Sequence, residues 1–367
     1  MDDPSMNRKQ SIQIVGAGPG GLGAAITLAR AGKTVDVHER YEVVGKRFQG
    51  DLQGIENWST REDVLSLFTQ AGLDLSQASV PFRSVTFTDG HRITFERNSS
   101  QPLFYLVKRG VAHDTLDQHL YRQAEQLGVR FHFRSSPPLQ EADIVATGPL
   151  RKALVAADKG VTFRTSLPNM AVGIFHDELA YLGYSYLLIS EGYGCVCTVV
   201  FREFHRLNSC FEKTLEVAKR YVKINLSEAD SVGGVGSFSL HRTPFLEHAL
   251  LVGEAAGLQD LLWGFGIRVA LRSGQLAAEA LLRSTSYEEA VQKHFHPFLK
   301  ATLVGRFLWE VAKCRGRPLL PFMLALPLPL RFQFRQLYRY SCLHQFLYPK
   351  AEKYIGSRYP QGVNRDD

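Results

Sequence analysis

Cysteine is scarce. Five occur in 367 residues, an odd number without framework spacing, which argues against a disulfide-stapled secreted domain and for reduced thiols in a cytoplasmic protein. Long apolar runs are missing too: the longest, Leu319 to Leu330, is twelve residues broken by three prolines, against the roughly twenty that a spanning helix needs. It can rest in a bilayer surface but cannot cross one. The opening MDDPSMNRKQ is polar and lacks the apolar core of a signal peptide. No H-E-x-x-H, G-x-S-x-G or G-x-x-x-x-G-K-S/T occurs, so the usual signals of zinc hydrolysis, the serine-hydrolase elbow and the P-loop are absent. His294 and His296 stand two apart on an expected helix, where side chains diverge, and no metal is expected there.

What is present bounds the answer further. With 45% hydrophobic residues, this length supports about two domains with substantial cores. The formal charge of +7 is unevenly placed: residues 306–358 hold ten Lys and Arg against two Asp and Glu, a local +8, so the remainder sums to about −1. No nucleic-acid-binding signature accompanies this charge, and no nucleic-acid partner is expected. A basic excess in one stretch points to a surface that meets anions, phosphates or acidic lipid head groups, with a solvated basic helix face as the alternative; beside a proline-broken apolar run, peripheral membrane contact through residues 306–358 at the cytoplasmic face is the expectation.

Ser11 to Val15 is β-rich, Gly16 to Gly21 is a glycine turn, Leu22 to Arg30 suits a helix closed by Gly32, and Thr34 to His38 is a second β-rich run. That is the start of a doubly wound α/β domain. Val85 to Phe95 reads as a hairpin around Asp89-Gly90. Strands are expected over Val129 to Phe133, Ala142 to Ala146, within Val161 to Phe175, and at Cys195 to Phe201 and Leu250 to Val252, with a helix over Asp114 to Leu127. Cys195 and Cys197 alternate onto one strand face and read as core. From about Ser273 the pattern is helical. The expected α/β architecture has a discontinuous nucleotide-binding domain (10–75, 105–160 and 232–285), an inserted β-rich substrate domain (76–104 and 161–231) and a helical basic C-terminal region (286–367).

Gly16-Ala17-Gly18-Pro19-Gly20-Gly21 satisfies G-x-G-x-x-G between a strand and a helix, the context the motif requires. Gly16 permits the tight turn, Gly18 lets a pyrophosphate approach the backbone, and Gly21 lets helix and strand pack. Glu39, eighteen residues after Gly21, can accept from both ribose hydroxyls and would repel a 2′-phosphate, so the nucleotide is FAD or NAD rather than NADP. A second glycine cluster favours FAD. In GEAAGLQDLLWGFGIRVALRSG, Gly264 and Gly266 would let amides at a helix start approach a flat ring, whose anionic reduced form the helix N-terminus would stabilise.

These motifs resemble the FAD-dependent oxidoreductases with the p-hydroxybenzoate hydroxylase fold, and most of all the geranylgeranyl reductase family. That family's pattern is matched by Gly253-Glu254-Ala255-Ala256-Gly257, Gly264-Phe265-Gly266-Ile267, Ala270, Ser273-Gly274 and Ala277-Ala278. The resemblance implies that Glu254, in place of the usual aspartate, holds the FAD ribityl chain. It also implies that Arg109 lies near the cofactor and that Arg40, Arg47 and Gly148 complete the set. In the middle fingerprint, Ala146-Thr147-Gly148 lacks the usual aspartate. Tyr184, Tyr186, Gly192 and Gly194 follow the family's substrate motif and, with Trp263, are expected to wall the pocket. Gly257 and Arg268 stand where aromatic hydroxylases have histidine and asparagine, and Tyr184 and Tyr186 where halogenases have tryptophans. The implied function is reduction of double bonds in an apolar isoprenoid or polyene substrate by hydride from flavin N5, with NAD(P)H or another reductant as donor. The alternatives are an FAD-dependent monooxygenase of a small apolar or aromatic substrate and a non-catalytic flavoprotein. The chemistry belongs to the flavin, and Tyr184 is the one side chain considered as a proton source.

Overall fold

The computed structural model describes residues 11–149, 154–237, 244–312 and 324–359. The first β-rich run forms β1 (Ile12–Val15), α1 (Pro19–Arg30) crosses over, and β2 (Val35–Glu39) returns parallel to β1 with Ile12 opposite Val35. β8 (Arg130–Phe133) extends the sheet beyond β2, while β9 (Ile144–Val145), β16 (Ala249–Leu251) and β15 (Phe245–Leu246) extend it beyond β1. Its described pairings are parallel apart from β15 with β16. α3 (Leu116–Gln126) and α5 (Ile267–Arg283) pack against α1. The α1–α5 crossing is close because glycine meets glycine: a Cβ on Gly274 would run into the Gly20 carbonyl oxygen, and one on Gly23 would lie 3.0 Å from that of Leu271. The glycines of two distant motifs thus serve one contact.

The second sheet runs β14 (Asp230–Ser237), β10 (Leu154–Arg164), β13 (Tyr193–Val200), β12 (Tyr184–Ser190), β11 (Met170–Ile174), β5 (Ser84–Thr88) and β6 (Thr94–Asn98). Alternation gives it two faces. Val161, Val172, Leu187 and Val196 on one face pack with Phe211 and Leu215 of α4 (Leu207–Ala218). The other face turns toward the parallel sheet. β5 and β6 form the expected hairpin, with Asp89 Oδ1 accepting from the amides of His91, Arg92 and Ile93 at 2.8–2.9 Å. A small third sheet joins β3 (Leu52–Glu56), β7 (Phe104–Lys108) and β4 (Val80–Phe82), and α2 (Val64–Gln70) lies between β3 and β4 in the chain.

Two expectations need correction. The β-rich unit exceeds 76–104 and 161–231, because β10 from Leu154 and β14 from Asp230 are hydrogen-bonded into the seven-stranded sheet. The last strand-to-helix transition comes before Ser273: α5 starts at Ile267, with Gly266 as its N-cap.

The C-terminal region is helical, through α6 (Tyr287–Val311), α7 (Leu330–Tyr338) and α8 (Cys342–Gly356). Its cations are not all surface charges, however. Arg306 is fully buried, lies 3.9 Å over the Phe201 ring and donates to the Leu182 carbonyl at 2.9 Å. Arg331 donates to the Asn57 carbonyl at 2.8 Å. The apolar run from Leu319 lies partly outside the described residues. Its described part is strapped by Arg97, which donates to the carbonyls of Leu324, Leu326 and Leu328. Among the described residues no helix is long and apolar enough to cross a membrane.

Candidate active site

A cavity of about 520 Å³ lies between the parallel sheet and the seven-stranded one. Its first end is built on the glycine turn. Gly16 has φ +103°, and a Cβ there would strike the Ala146 carbonyl; one on Gly21 would strike the Gly16 carbonyl. Gly18 differs: its backbone is extended, at φ −80° and ψ 179°, and nothing lies within 4 Å of where its Cβ would be. Packing within the chain therefore explains Gly16 and Gly21 but not Gly18, which borders the cavity with Ala17, Pro19 and Gly20. α1 has no side-chain cap and no acid in its first turn, so its unsatisfied amides and positive dipole end are available to an anion.

Carboxylates and cations ring this end. Glu39 is pinned beside the turn, Oε2 accepting from the Ala17 amide at 3.0 Å and Oε1 from the Tyr41 amide at 3.1 Å. Arg40, Arg47 and Gly148 line the same cavity, and Arg47 donates to the Val235 carbonyl at 3.3 Å. Arg109 is 4% exposed, donates to both oxygens of Asp117 at 2.9 and 2.7 Å and to Gln53 at 2.8 Å, and lies 4.0 Å over the Phe48 ring. It is a buried, oriented cation rather than a surface-helix arginine. After β16, Gly253 and Glu254 also reach the cavity. Glu254 Oε1 is buried without a hydrogen-bond partner, and burial pushes the carboxyl up to about 7 although Arg47 and Arg109 oppose the shift.

The loop from Gly257 to Gly266 is organised by Asp260. Its carboxylate accepts from the amides of Leu262, Trp263 and Phe265 at 2.8, 3.2 and 3.4 Å, and from the Tyr338 hydroxyl of α7 at 2.7 Å. Burial holds this carboxyl up at about 6. Gly264 has φ +76°, a region open to glycine, and Gly266 caps α5 without a side-chain bond. Phe265, Gly266 and Ile267 line the cavity, so a second helix N-terminus faces it.

The other end is aromatic. Trp58, 2% exposed, meets Phe265 edge-on at 5.0 Å, Phe334 of α7 at 4.8 Å and Trp263 at 6.2 Å. Phe87 and Phe175 add to the wall. Tyr184 and Tyr186 line the cavity as expected, with rings 6.2 Å apart. The Tyr184 hydroxyl donates to the Trp263 carbonyl, so it tethers the glycine loop rather than standing ready as a proton source. Gly192 and Gly194 are not among the lining residues. Gly192 (φ +78°) shapes the β12–β13 turn with Glu191 (φ +49°), and Gly194 leaves room for the Phe163 ring. Turn geometry at Gly192 and packing against Phe163 at Gly194 explain the two glycines, which corrects the expectation that they wall the pocket.

The family model for NAD(P)-binding Rossmann-like domains matches residues 14–51. Digeranylgeranylglycerophospholipid reductase of Methanosphaerula palustris is 25% identical over 320 residues, covering 76% of this chain and 77% of its own. Two other curated relatives match more locally, the chain spanning 24% and 13% of their lengths. Among solved structures, a geranylgeranyl bacteriochlorophyll reductase-like protein of Thermoplasma acidophilum has a TM-score of 0.66 at 16% identity, over 95% of this chain and 98% of that one. The chain has the fold of the FAD-dependent oxidoreductases. The flavin-dependent brominase Bmp2 shares it, with a TM-score of 0.65 at 13% identity over 95% and 99%.

The donor set of this flavin-dependent fold suits FAD. The open space at Gly18, the uncapped starts of α1 and α5, and the unpartnered Glu254 oxygen each want a group that the chain does not supply. Asp260, Trp58, Phe334 and Tyr338 are among the site residues not anticipated from sequence. Asp260 precedes a Leu-Leu-Trp-Gly run, and a short acid before a glycine loop is a turn signal that could have flagged it. Trp58, Phe334 and Tyr338 converge from distant segments, and no local signal marks them.

Proposed function

We propose that this protein is an FAD-dependent reductase that saturates double bonds of an apolar isoprenoid or polyene substrate with hydride from flavin N5. The carrying observation is one continuous cavity with a dinucleotide cradle at one end and an aromatic chamber of Trp58, Trp263, Phe265 and Phe334 at the other. The likeness to the Methanosphaerula palustris reductase supports the choice of substrate class. When bound, the flavin supplies two-electron hydride chemistry, and the protein binds, orients and excludes water. The Gly16–Gly21 turn and the α1 amides would hold the pyrophosphate, Glu39 the ribose and Glu254 the ribityl chain. The α5 N-terminus would stabilise negative charge on the reduced ring. Tyr184 holds the Trp263 carbonyl and so the loop that carries Phe265.

The test is reconstitution with FAD, anaerobic reduction by dithionite, and incubation with all-trans geranylgeraniol in detergent, read as a mass gain of two hydrogens per double bond. A colourless protein that takes up no FAD refutes the cofactor; a yellow protein that yields no reduced product refutes the substrate class. The fold is shared almost equally with a brominase, so the second reading is a monooxygenase of a small apolar or aromatic substrate. Substrate-stimulated NAD(P)H oxidation with oxygen incorporated into product would select it.

We further propose that an anionic bilayer is the docking partner. Leu326, Leu328, Phe332, Leu343 and Phe346 are exposed, Phe346 at 81%, on the segment that also exposes Arg339, Lys350 and Lys353. Apolar side chains beside cations match the acyl boundary and the anionic head groups together.

A further inference from the structure

Reducing a carbon–carbon double bond takes a proton as well as a hydride, and Tyr184 is committed to the Trp263 carbonyl. The cavity face of the seven-stranded sheet offers another route. Alternation presents Tyr184 and Tyr186 of β12, Cys195 and Cys197 of β13, and Ala156 and Asp158 of β10 to the cavity. Asp158 is the one carboxylate among these six.

Register brings three of them into a line. Tyr186 is directly opposite Cys197 in the β12–β13 pairing, and both border the cavity. Cys197 Sγ lies 3.7 Å from Asp158 Oδ2. Asp158 is directly opposite Gly234 of β14, while Asp51, just ahead of β3, and Arg47 act on it from the side of the nucleotide cradle. Burial and the Asp51 charge raise the Asp158 carboxyl to about 6 against the pull of Arg47. Burial likewise drives the Tyr186 hydroxyl and the Cys197 thiol well above their usual ranges, so both carry their protons at neutral pH. A strained acid in a cleft, joined through proton-bearing groups to the substrate side, is a physical signature of proton handling.

We propose that Tyr186, Cys197 and Asp158 form a proton relay across β12, β13 and β10, with Tyr186 as the donor to the substrate and Asp158 as the proton store. This rests on the reductase reading. With FAD bound and reduced, hydride with its electron pair would be supplied to one carbon of the double bond, and the π electrons of that bond would take the Tyr186 proton at the other carbon. Cys197 returns a proton to the Tyr186 oxygen, Asp158 returns one to Cys197 sulfur, and solvent reprotonates Asp158. The net change is one hydride and one proton added and one π bond lost.

The test compares FAD-loaded wild type with Tyr186→Phe, Asp158→Asn, Cys197→Ala and Cys197→Ser, using dithionite as reductant and geranylgeraniol as probe. FAD stoichiometry and melting temperature serve as fold controls. Tyr186→Phe and Asp158→Asn should each lower kcat about 100-fold or more with KM little changed, in line with the loss of a general acid. Cys197→Ala should fall similarly, and Cys197→Ser, which keeps a hydroxyl in the chain, should recover most of the rate. A purely packing role for Cys197 gives no reason for serine to outperform alanine. Independently of turnover, infrared difference spectra between about pH 5 and about pH 8 should show a protonated-carboxyl band that Asp158→Asn lacks. If Asp158→Asn fails to fold, the isosteric Tyr186→Phe and the alanine–serine contrast at Cys197 decide. A wild type that reduces the probe while the variants match its rate, or serine behaving as alanine, overturns the relay alone. A wild type that leaves the probe unreduced overturns the reductase reading and the relay with it.

Discussion

Gly18→Ala separates a cofactor cradle from a packing motif more cleanly than any other change in the turn. Alanine adopts φ −80°, ψ 179° freely, and its methyl would meet nothing within 4 Å. In the protein alone the change is close to neutral: a stiffer unfolded chain contributes about 0.4–1 kcal/mol, and replacing glycine by alanine at the N-cap costs about the same. Against a pyrophosphate the methyl stands where the phosphate must come within hydrogen-bond distance of the backbone. Loss of two charge-assisted bonds, about 1.5–3 kcal/mol each, weakens FAD binding by roughly 100-fold or more. Gly21→Ala is the contrasting control, because its Cβ would strike the Gly16 carbonyl, an overpacking cost of about 1–3 kcal/mol with no ligand present. Melting without FAD and flavin-fluorescence titration with FAD read the two effects separately. Gly18→Ala should melt like wild type yet fail to bind FAD, and Gly21→Ala should melt early. A Gly18→Ala protein that binds FAD with wild-type affinity would refute the cradle.

Glu254 has its carboxyl raised by burial from 4.5 to about 7, so ionising it in the cofactor-free protein costs stability, nothing below about pH 4.5 and the full amount above about pH 7. Glu254→Gln should therefore melt like wild type in acid and higher than wild type at about pH 8, by at most about 3 kcal/mol; equal melting across that range removes the claim. Tyr338→Phe takes one donor from the buried Asp260 carboxylate, a loss of about 1–3 kcal/mol, and should speed amide exchange at Leu262 and Trp263, whereas unchanged exchange would mean that α7 does not hold the loop. Leu343→Ser with Phe346→Ser alters exposed side chains, so melting should stay put while flotation with anionic vesicles falls; flotation equal to wild type ends the bilayer proposal.

How far the sequence reaches follows from where each signal resides. The glycine turn, Glu39 and the β5–β6 hairpin were legible because each is specified within a few residues by φ requirements or spacing. The second glycine loop was legible as backbone, but the acid that shapes it was not, since Asp260 gains its meaning from amides ahead of it and from Tyr338 far down the chain. Gly192 and Gly194 show the converse: the glycine spacing was read correctly and its role was not, because a hairpin turn and a ring packed on a strand demand the same residues as a pocket wall. Asp158 escaped notice as one acid on a strand, and became informative once neighbouring strands supplied Cys197 and Tyr186 at its side.

The basic tail is the feature that structure divides most sharply. Arg306 and Arg331 turn inward onto backbone carbonyls, so the local excess of charge overstates what a lipid surface could meet. α7 shows what the remainder does. Leu330, Phe334 and Tyr338 recur every four residues on its buried side, where Phe334 and Tyr338 close on Trp58 and Trp263. Phe332 and Gln336 lie on its exposed side, and Arg339, just past its end, is exposed as well. One helix therefore forms an end wall of the aromatic chamber and part of the surface proposed to meet the bilayer. An apolar substrate drawn from lipid would have a short route past this helix, and loosening it through Tyr338→Phe should change access to the chamber before it changes the chemistry inside. The measurable consequence is a lower KM for a long polyprenyl chain in vesicles with kcat retained; a fall in kcat at constant KM would instead place α7 in the alignment of the bound substrate.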